Sequence, residues 1–331
     1  MTAATSAGHT ELPTGRQSEW DFGGYPYGLE PLLLPATGDP YPTVDPEPAA
    51  PTSHYREICQ RIRQLGQPGG PAVQVHRCDV AEELFWFRWI TGHQVCFVLW
   101  RLMSQLLDEL ADGTCPAPAA VKSMCHYIEG YSAMLLYTGS CPRTVYHVLI
   151  RPGMRLRHRG FSGSWAPDYA PVRELFRRQP SLIWSADTGE LSEAVTLHDL
   201  VHAGVAAKLV PGGRSLLTQA AVRTVDHRLV GMLYDSYFVT ARGPVARAQV
   251  VAQLLRRLVA IGQDLAANGL HAEGDRNRRP AELVTAQVAR CEANLVGIMS
   301  DVAHRACGLD PAEDAGPKPA VAGTTAEVAR T

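Results

Sequence analysis

Twelve histidines and eight cysteines are the side chains of this 331-residue chain best suited to metal ligation, acid–base work or nucleophilic attack. The cysteines, at 59, 78, 96, 115, 125, 141, 291 and 307, are scattered without CxxC pairs, and several lie in apolar helical runs. They read as reduced thiols acting as small hydrophobes, not as a disulfide frame. Among the histidines, His93 has the most unusual surroundings. The stretch from Phe85 to Met103 holds three tryptophans, three phenylalanines and this one histidine, in a chain that is only 7% aromatic. At helical spacing Trp86, Trp89, Ile90, His93, Cys96, Phe97 and Trp100 share one face. An imidazole in the middle of an apolar wall needs a partner, because an unsatisfied buried polar group costs about 1–3 kcal/mol. Two readings follow: a core histidine bonded to a backbone carbonyl, or a wall of a pocket for a flat cofactor or aromatic substrate, with His93 pointing into it.

Other histidines offer weaker patterns. His198 and His202 are four residues apart and share a helix face, so they can hold a metal, although the glutamate of an HExxH motif is missing and no third ligand is evident. His227 lies on a face with Ala220, Thr224, Val230 and Gly231, small enough for a flat macrocycle to approach; the competing reading is a core or interface histidine. His304 closes a helix near the end of the fold, where its charge complements the helix dipole. His9 and His54 fall in an N-terminal arm and His271 in a polar loop, which makes them poor candidates. The segment from Met154 to Tyr169 gathers Arg155, Arg157, His158 and Arg159 with glycines and Trp165, and reads either as a loop displaying anion-binding groups or as an exposed solubilising loop. A Rossmann glycine motif, a Walker loop, a GxSxG elbow and a CxxCH haem attachment are all missing, which disfavours a dinucleotide enzyme, an NTPase and a serine hydrolase.

The elements that must position these residues are almost all helices. Residues 1–52 carry nine of the 24 prolines, yet Trp20 to Leu34 is too apolar for a solvated linker, so this part reads as an irregular arm packed on its own domain or on a partner subunit. A helix is expected from Tyr55 to Leu65, then an extended piece from Val73 to His76. Asp79 with Glu82 suggests a capping-box start for a helix running to about Leu110. Further helices are expected over 118–137, 172–179, 190–209, 214–240, 245–268 and 280–306, separated by Pro and Gly breakers, while 143–152 reads as a strand or a helical turn. The architecture is therefore an all-α, single-domain bundle over 53–308, between the arm and a disordered tail at 309–331.

A net charge of −2 and a pI near 6.6 argue against a nucleic-acid surface. No run of eighteen apolar residues and no secretory leader is present, which points to a cytoplasmic protein without membrane association.

The stretch Trp89-Ile90-Thr91-Gly92-His93-Gln94, with Leu99-Trp100 and Leu107-Asp108-Glu109-Leu110 after it, resembles the histidine–glutamine helix of tryptophan 2,3-dioxygenase, in which the histidine stands over the distal face of a haem. With the arm from Asp21 to Leu32 and the segment from Tyr146 to Pro152, the chain looks more like relatives of that enzyme, the haem-dependent L-tyrosine 3-hydroxylases of actinobacterial natural-product pathways, over most of residues 18–308. The resemblance implies a dimeric all-α bundle of the tryptophan 2,3-dioxygenase type, carrying a histidine-ligated haem b and using hydrogen peroxide to convert L-tyrosine to L-DOPA in antibiotic biosynthesis. Related hydroxylases attach haem c through His-x-x-x-Cys; His304-x-x-Cys307 is one residue short, so non-covalent haem is expected. His93 then becomes the distal acid–base group, and Trp89, Phe97 and Trp100 bound the haem cavity. Arg143, Tyr146 and Arg151 are the candidates for substrate binding, with the arginines taking the carboxylate. The iron ligand stays open between His227 and His202. The alternatives are a haem oxygenase acting on tryptophan or a methylated tyrosine, a non-enzymatic haem-binding protein, and a helical scaffold in which the aromatic stretch is plain core.

Overall fold

The aromatic stretch forms the middle of α2 (Ala81–Ala111), a 31-residue helix, in the computed structural model of the chain. The structure describes Phe22 and residues 26–39, 41, 52–66, 77–178, 182–185, 189–210, 212, 215–220, 226–271 and 279–309. Around α2 stand α1 (Thr52–Leu65), α3 (Ala117–Gly139), α7 (Gly189–Leu209) and α10 (Arg247–Asn268). Shorter helices are α4 (Arg143–Val145), α5 (Arg151–Arg157), α6 (Arg173–Phe176), α8 (Leu216–Ala220), α9 (His227–Tyr237), α11 (Ala286–Ala293) and α12 (Leu295–Ala306). The fold is an all-α bundle, as the periodicity implies. No helix among the described residues is long and apolar enough to cross a membrane, and all eight cysteines are free.

α2 buries more than the single stripe expected. From Leu84 to Met103 nearly its whole circumference is covered, because α3, α10 and the 3-10 segment Pro167–Val172 pack on different sides of it. A helix that is apolar all round belongs at the centre of a bundle. Gly92 permits the tightest of these contacts, since a Cβ there would run into Thr138 Cγ2 and the Tyr137 ring on α3. The expected Asp79–Glu82 capping box is not made: Val80 is the N-cap, without a side-chain cap, and Glu82 and Glu83 face the helix dipole in the first turn. Arg88, buried on α2, donates to Asp264 of α10 through Nε (2.7 Å) and Nη2 (3.1 Å), while Tyr137 Oη of α3 donates to the same carboxylate at 2.7 Å. Three helices are pinned by one ion pair.

The stretch from 143 to 152 is helical, passing through a π-helical turn at Tyr146–Ile150 into α5. The helix expected over 214–240 is interrupted. Asp226 caps α9 by accepting from the backbone N–H groups of Arg228 and Leu229, and the chain ends that segment in a strand, β2 (Thr240–Arg242). Its partner is the arm. β1 (Leu32–Leu34) runs parallel to β2 with Leu32 opposite Thr240, and Phe22, Tyr27, Leu32 and Leu34 are buried against the bundle. A three-residue strand has no periodicity to read, and an arm so rich in proline gave no sign of pairing. The expected extended piece at 73–76 and the tail beyond 309 lie outside the described residues.

Candidate active site

A cavity of about 610 Å³ opens between α2, α3 and α7 and is closed on its remaining sides by the π turn, the 3-10 segments and α9. That size falls within the range of about 300–1,000 Å³ usual for small-molecule and cofactor sites. Rings form much of its wall, among them Trp89, Trp100, Tyr131, Phe161, Tyr234 and Phe238, and three imidazoles line it: His93 from α2, and His198 and His202 from α7. α3 packs against both helices and keeps them apart.

His93 satisfies both sequence readings together. Its Nδ1 lies 2.6 Å from the Trp89 carbonyl oxygen one turn earlier. A carbonyl only accepts, so Nδ1 carries the proton and Nε2 keeps a bare lone pair. The ring stacks on Phe238 at 4.6 Å and leans on Trp89 at 4.3 Å. Burial pushes its pKa down to about 4, the bond to the Trp89 carbonyl opposing that shift. At neutral pH it is therefore a neutral base held in one orientation.

Trp100 lines the cavity and meets Tyr131 edge-on at 5.3 Å. Phe97 does not reach the cavity. It stacks behind Trp100 at 5.5 Å and touches Tyr234 and Phe238 from the core side. Tyr146 and Arg151 both line the cavity because the π turn lies between them, with the Arg151 N–H donating to the Tyr146 carbonyl. π-helical turns recur at functional sites, where they re-aim side chains. Burial raises the Tyr146 phenol pKa, and a hydrogen bond from Arg151 opposes the rise. Arg143, by contrast, is exposed at the start of α4 and is not part of the cavity wall.

The cavity face of α7 runs His198, His202, Ala206 and Leu209. His198 is wedged between Tyr131 (4.5 Å) and Phe176 (4.4 Å), and its buried Nδ1 has no hydrogen-bond partner among the described residues. Burial lowers its pKa to about 3, the neighbouring His202 adding to the effect. His202 opens to solvent through the cavity. The protein around it lowers its pKa, and the Asp199 carboxylate opposes this. His227 is placed differently: it is the exposed first residue of α9 and does not line the cavity. The mouth is polar, with Ser162, Ser164, Arg177 and Asp199.

Sequence reasoning did not nominate Arg177, Tyr131, Phe238 or Tyr234, and it left His198 as a spacing pattern. The tyrosines of α3 at four-residue spacing, Tyr127 and Tyr131, were a signal of an aromatic wall; nothing local marks Phe238, which reaches His93 from 145 positions along the chain. No group of three or more His, Cys, Asp or Glu placed to hold a bare metal ion occurs among the described residues. A haem iron brings four nitrogen ligands of its own and needs only an axial imidazole. Neutral imidazoles on two separated helices, one with an orphaned buried nitrogen, and aromatic walls between them fit such a group.

A protein-family profile described as SfmD 3-methyl-L-tyrosine peroxygenase matches residues 28–194. The chain belongs to this family. It is a family of peroxide-using oxidoreductases that act on tyrosine derivatives. The match to the peroxygenase family takes in β1, the whole of α2 and α3, and the π turn, so His93, Trp89, Trp100, Tyr146 and Arg151 lie inside it. It stops four residues before His198. No curated protein matches the chain.

Proposed function

We propose that this chain is a haem-dependent peroxygenase that hydroxylates a tyrosine-type amino acid beside its phenol oxygen, converting L-tyrosine to L-DOPA. The observation that carries the reading is His93: a single imidazole with Nδ1 committed to a carbonyl and Nε2 bare, set in an aromatic cavity that also receives neutral imidazoles from α7. Non-covalent haem b would be held on α7 by His202, where the small side chain of Ala206 leaves room for it, with Asp199 beside His202 as the group that orients the imidazole. Bound haem supplies the redox centre at which peroxide's O–O bond breaks, so that one ring C–H and one H₂O₂ give one C–OH and one water.

The residues of the chain do the rest. His93 Nε2 takes a proton from peroxide and returns it to the departing oxygen, a transfer that general acid–base groups typically accelerate about 10²–10⁴-fold. Trp89, Trp100 and Tyr131 exclude bulk water from that transfer. Arg151, beside the Tyr146 phenol, and Arg177 at the mouth supply guanidinium forks for carboxylates of the substrate or the cofactor.

A second reading, 3-methyl-L-tyrosine as substrate, is favoured by the description of the family. Steady-state kcat/KM for both amino acids with hydrogen peroxide separates the two: L-tyrosine is expected to be the better substrate, and a preference of more than about tenfold, or about 1.4 kcal/mol, for the methylated ring would replace it. The homodimer and the cytoplasmic location expected from the sequence belong to this proposal as well. Light scattering of the purified chain tests the dimer, and a mass near the 36.0 kDa of one chain would remove it.

A further inference from the structure

Directly after His93 comes a glutamine with no access to solvent. Gln94 Nε2 donates to three backbone oxygens, Phe238 at 2.9 Å, Glu30 at 3.1 Å and Val239 at 3.2 Å, and its Oε1 accepts from Arg257 Nε at 2.8 Å. Arg257 is fully buried on α10 and spends its other donors on the Gln253 carbonyl (3.0 Å) and the Glu30 carbonyl (3.2 Å). One amide thus gathers the arm, α10 and the turn between α9 and β2.

That turn is strained. Val239 has φ of +51°, a conformation costly for a β-branched residue and kept only where the surroundings impose it. The surroundings here are Gln94 and the Leu32 N–H, which donates to the Val239 carbonyl at 3.0 Å. The consequence of holding the turn is the position of Phe238, whose ring lies flat on the His93 imidazole.

We infer that Gln94 is a positioning residue for the cavity histidine: with Arg257 behind it, it locks the Phe238–Val239 turn and so keeps the Phe238 ring stacked on His93. This role rests on the reading of His93 as the acid–base group only for its catalytic meaning; the stacking itself does not depend on it. When the lock is lost, Phe238 swings free, water reaches the imidazole, and His93 behaves as an ordinary surface histidine.

The test is the rate of carbethoxylation of His93 against pH, read by peptide mass spectrometry on the full-length protein as purified. Gln94→Met removes every polar contact, and Gln94→Asn, too short to span Arg257 and the turn, is the milder variant should the first not fold. Phe238→Leu removes the stacked ring while leaving Gln94 intact. Both Gln94 variants and Phe238→Leu are expected to raise the His93 rate about tenfold at neutral pH, equivalent to about 1.4 kcal/mol of lost ordering, and to move its midpoint up from about 4 toward the ordinary histidine value of about 6.5. Gln253→Ala is the control, since it breaks only the exposed side-chain bonds to Leu33 on β1 and to the Gln249 carbonyl one turn back and is expected to leave His93 as in wild type. An unchanged His93 profile in Gln94→Asn alongside a changed one in Phe238→Leu overturns the inference, and so does a Gln253→Ala variant that changes as much as Gln94→Asn. Full activity in His93→Ala with a shifted profile in Gln94→Asn would instead remove the acid–base reading and leave the positioning role standing.

Discussion

At the scale of single residues, the account turns on two nitrogens of His93 that have different tasks. Nδ1 is consumed by the Trp89 carbonyl and fixes the ring, which leaves Nε2 for the proposed proton transfer. His93→Ala is expected to lower kcat/KM with peroxide and L-tyrosine by about 10²–10⁴-fold, while circular dichroism stays at the wild-type level. The pH dependence has a definite sign. Burial depresses the imidazole pKa to about 4, so Nε2 is a free base through the neutral range, and kcat/KM is expected to hold level down to about pH 5 and to fall only as the pH nears 4. An acid limb centred near 6.5 would mean that His93 is solvated. The same shift bears on stability: between about pH 6.5 and 4 the unfolded chain takes up a proton at this position that the native fold refuses, so native stability is present in full above 6.5 and is lost as pH falls, by up to about 1.4 kcal/mol per pH unit. Urea unfolding of wild type and His93→Gln at pH 7 and pH 5 isolates that slope, which the variant lacks.

At the scale of elements, the cavity depends on close contacts and clamps outside its lining. Gly92 lets α2 lie directly on α3, one residue from His93. Gly92→Ala is expected to cost about 1–3 kcal/mol in urea unfolding, because Thr138 and Tyr137 occupy the space that the new methyl group needs. On the far side, Arg242 of β2 donates to Asp168 through Nη1 (3.0 Å) and Nη2 (2.7 Å), and to Asp235 through Nε (2.9 Å) and Nη2 (2.7 Å). Those carboxylates adjoin Tyr169 and Tyr234, both cavity walls. Arg242→Met leaves two nearby carboxylates without their cation, and a loss of about 3–5 kcal/mol is expected in the same assay. The arm contributes here too, since the Pro35 carbonyl accepts from Arg242 Nη1.

At the scale of the whole molecule, what the sequence made legible was whatever is written in local periodicity. α2, α3, α7 and α10 could be placed within a few residues because each carries about six or more turns' worth of apolar spacing between Pro and Gly breakers, and His93 stood out because its neighbours on α2 are rings. Features made by distant segments were not legible. Phe97 shares the helical face of His93 and Trp100 in a wheel projection, but the cavity covers only part of that face, and Phe97 falls where Tyr234 and Phe238 close over it. His227 looked suitable for its small neighbours within one long helix; Asp226 instead starts α9 and leaves His227 at an exposed helix end. Arg143 and Arg151 were equivalent in sequence, and the π turn separates them by turning only Arg151 to the cavity. The β1–β2 pairing joins residues some two hundred positions apart, and no local pattern encodes it.

The central claim is that the cavity between α2 and α7 would take a haem held by an α7 imidazole, with His93 as the acid–base group. Its most direct test is the visible spectrum of the full-length chain loaded with hemin, for wild type, His202→Ala, His198→Ala and His227→Ala. The account predicts one haem per chain with a histidine-ligated ferric Soret band in wild type and His227→Ala, retention with a perturbed environment in His198→Ala, and loss of that axial signature in His202→Ala. A histidine-ligated spectrum that survives in His202→Ala and disappears in His227→Ala would contradict it.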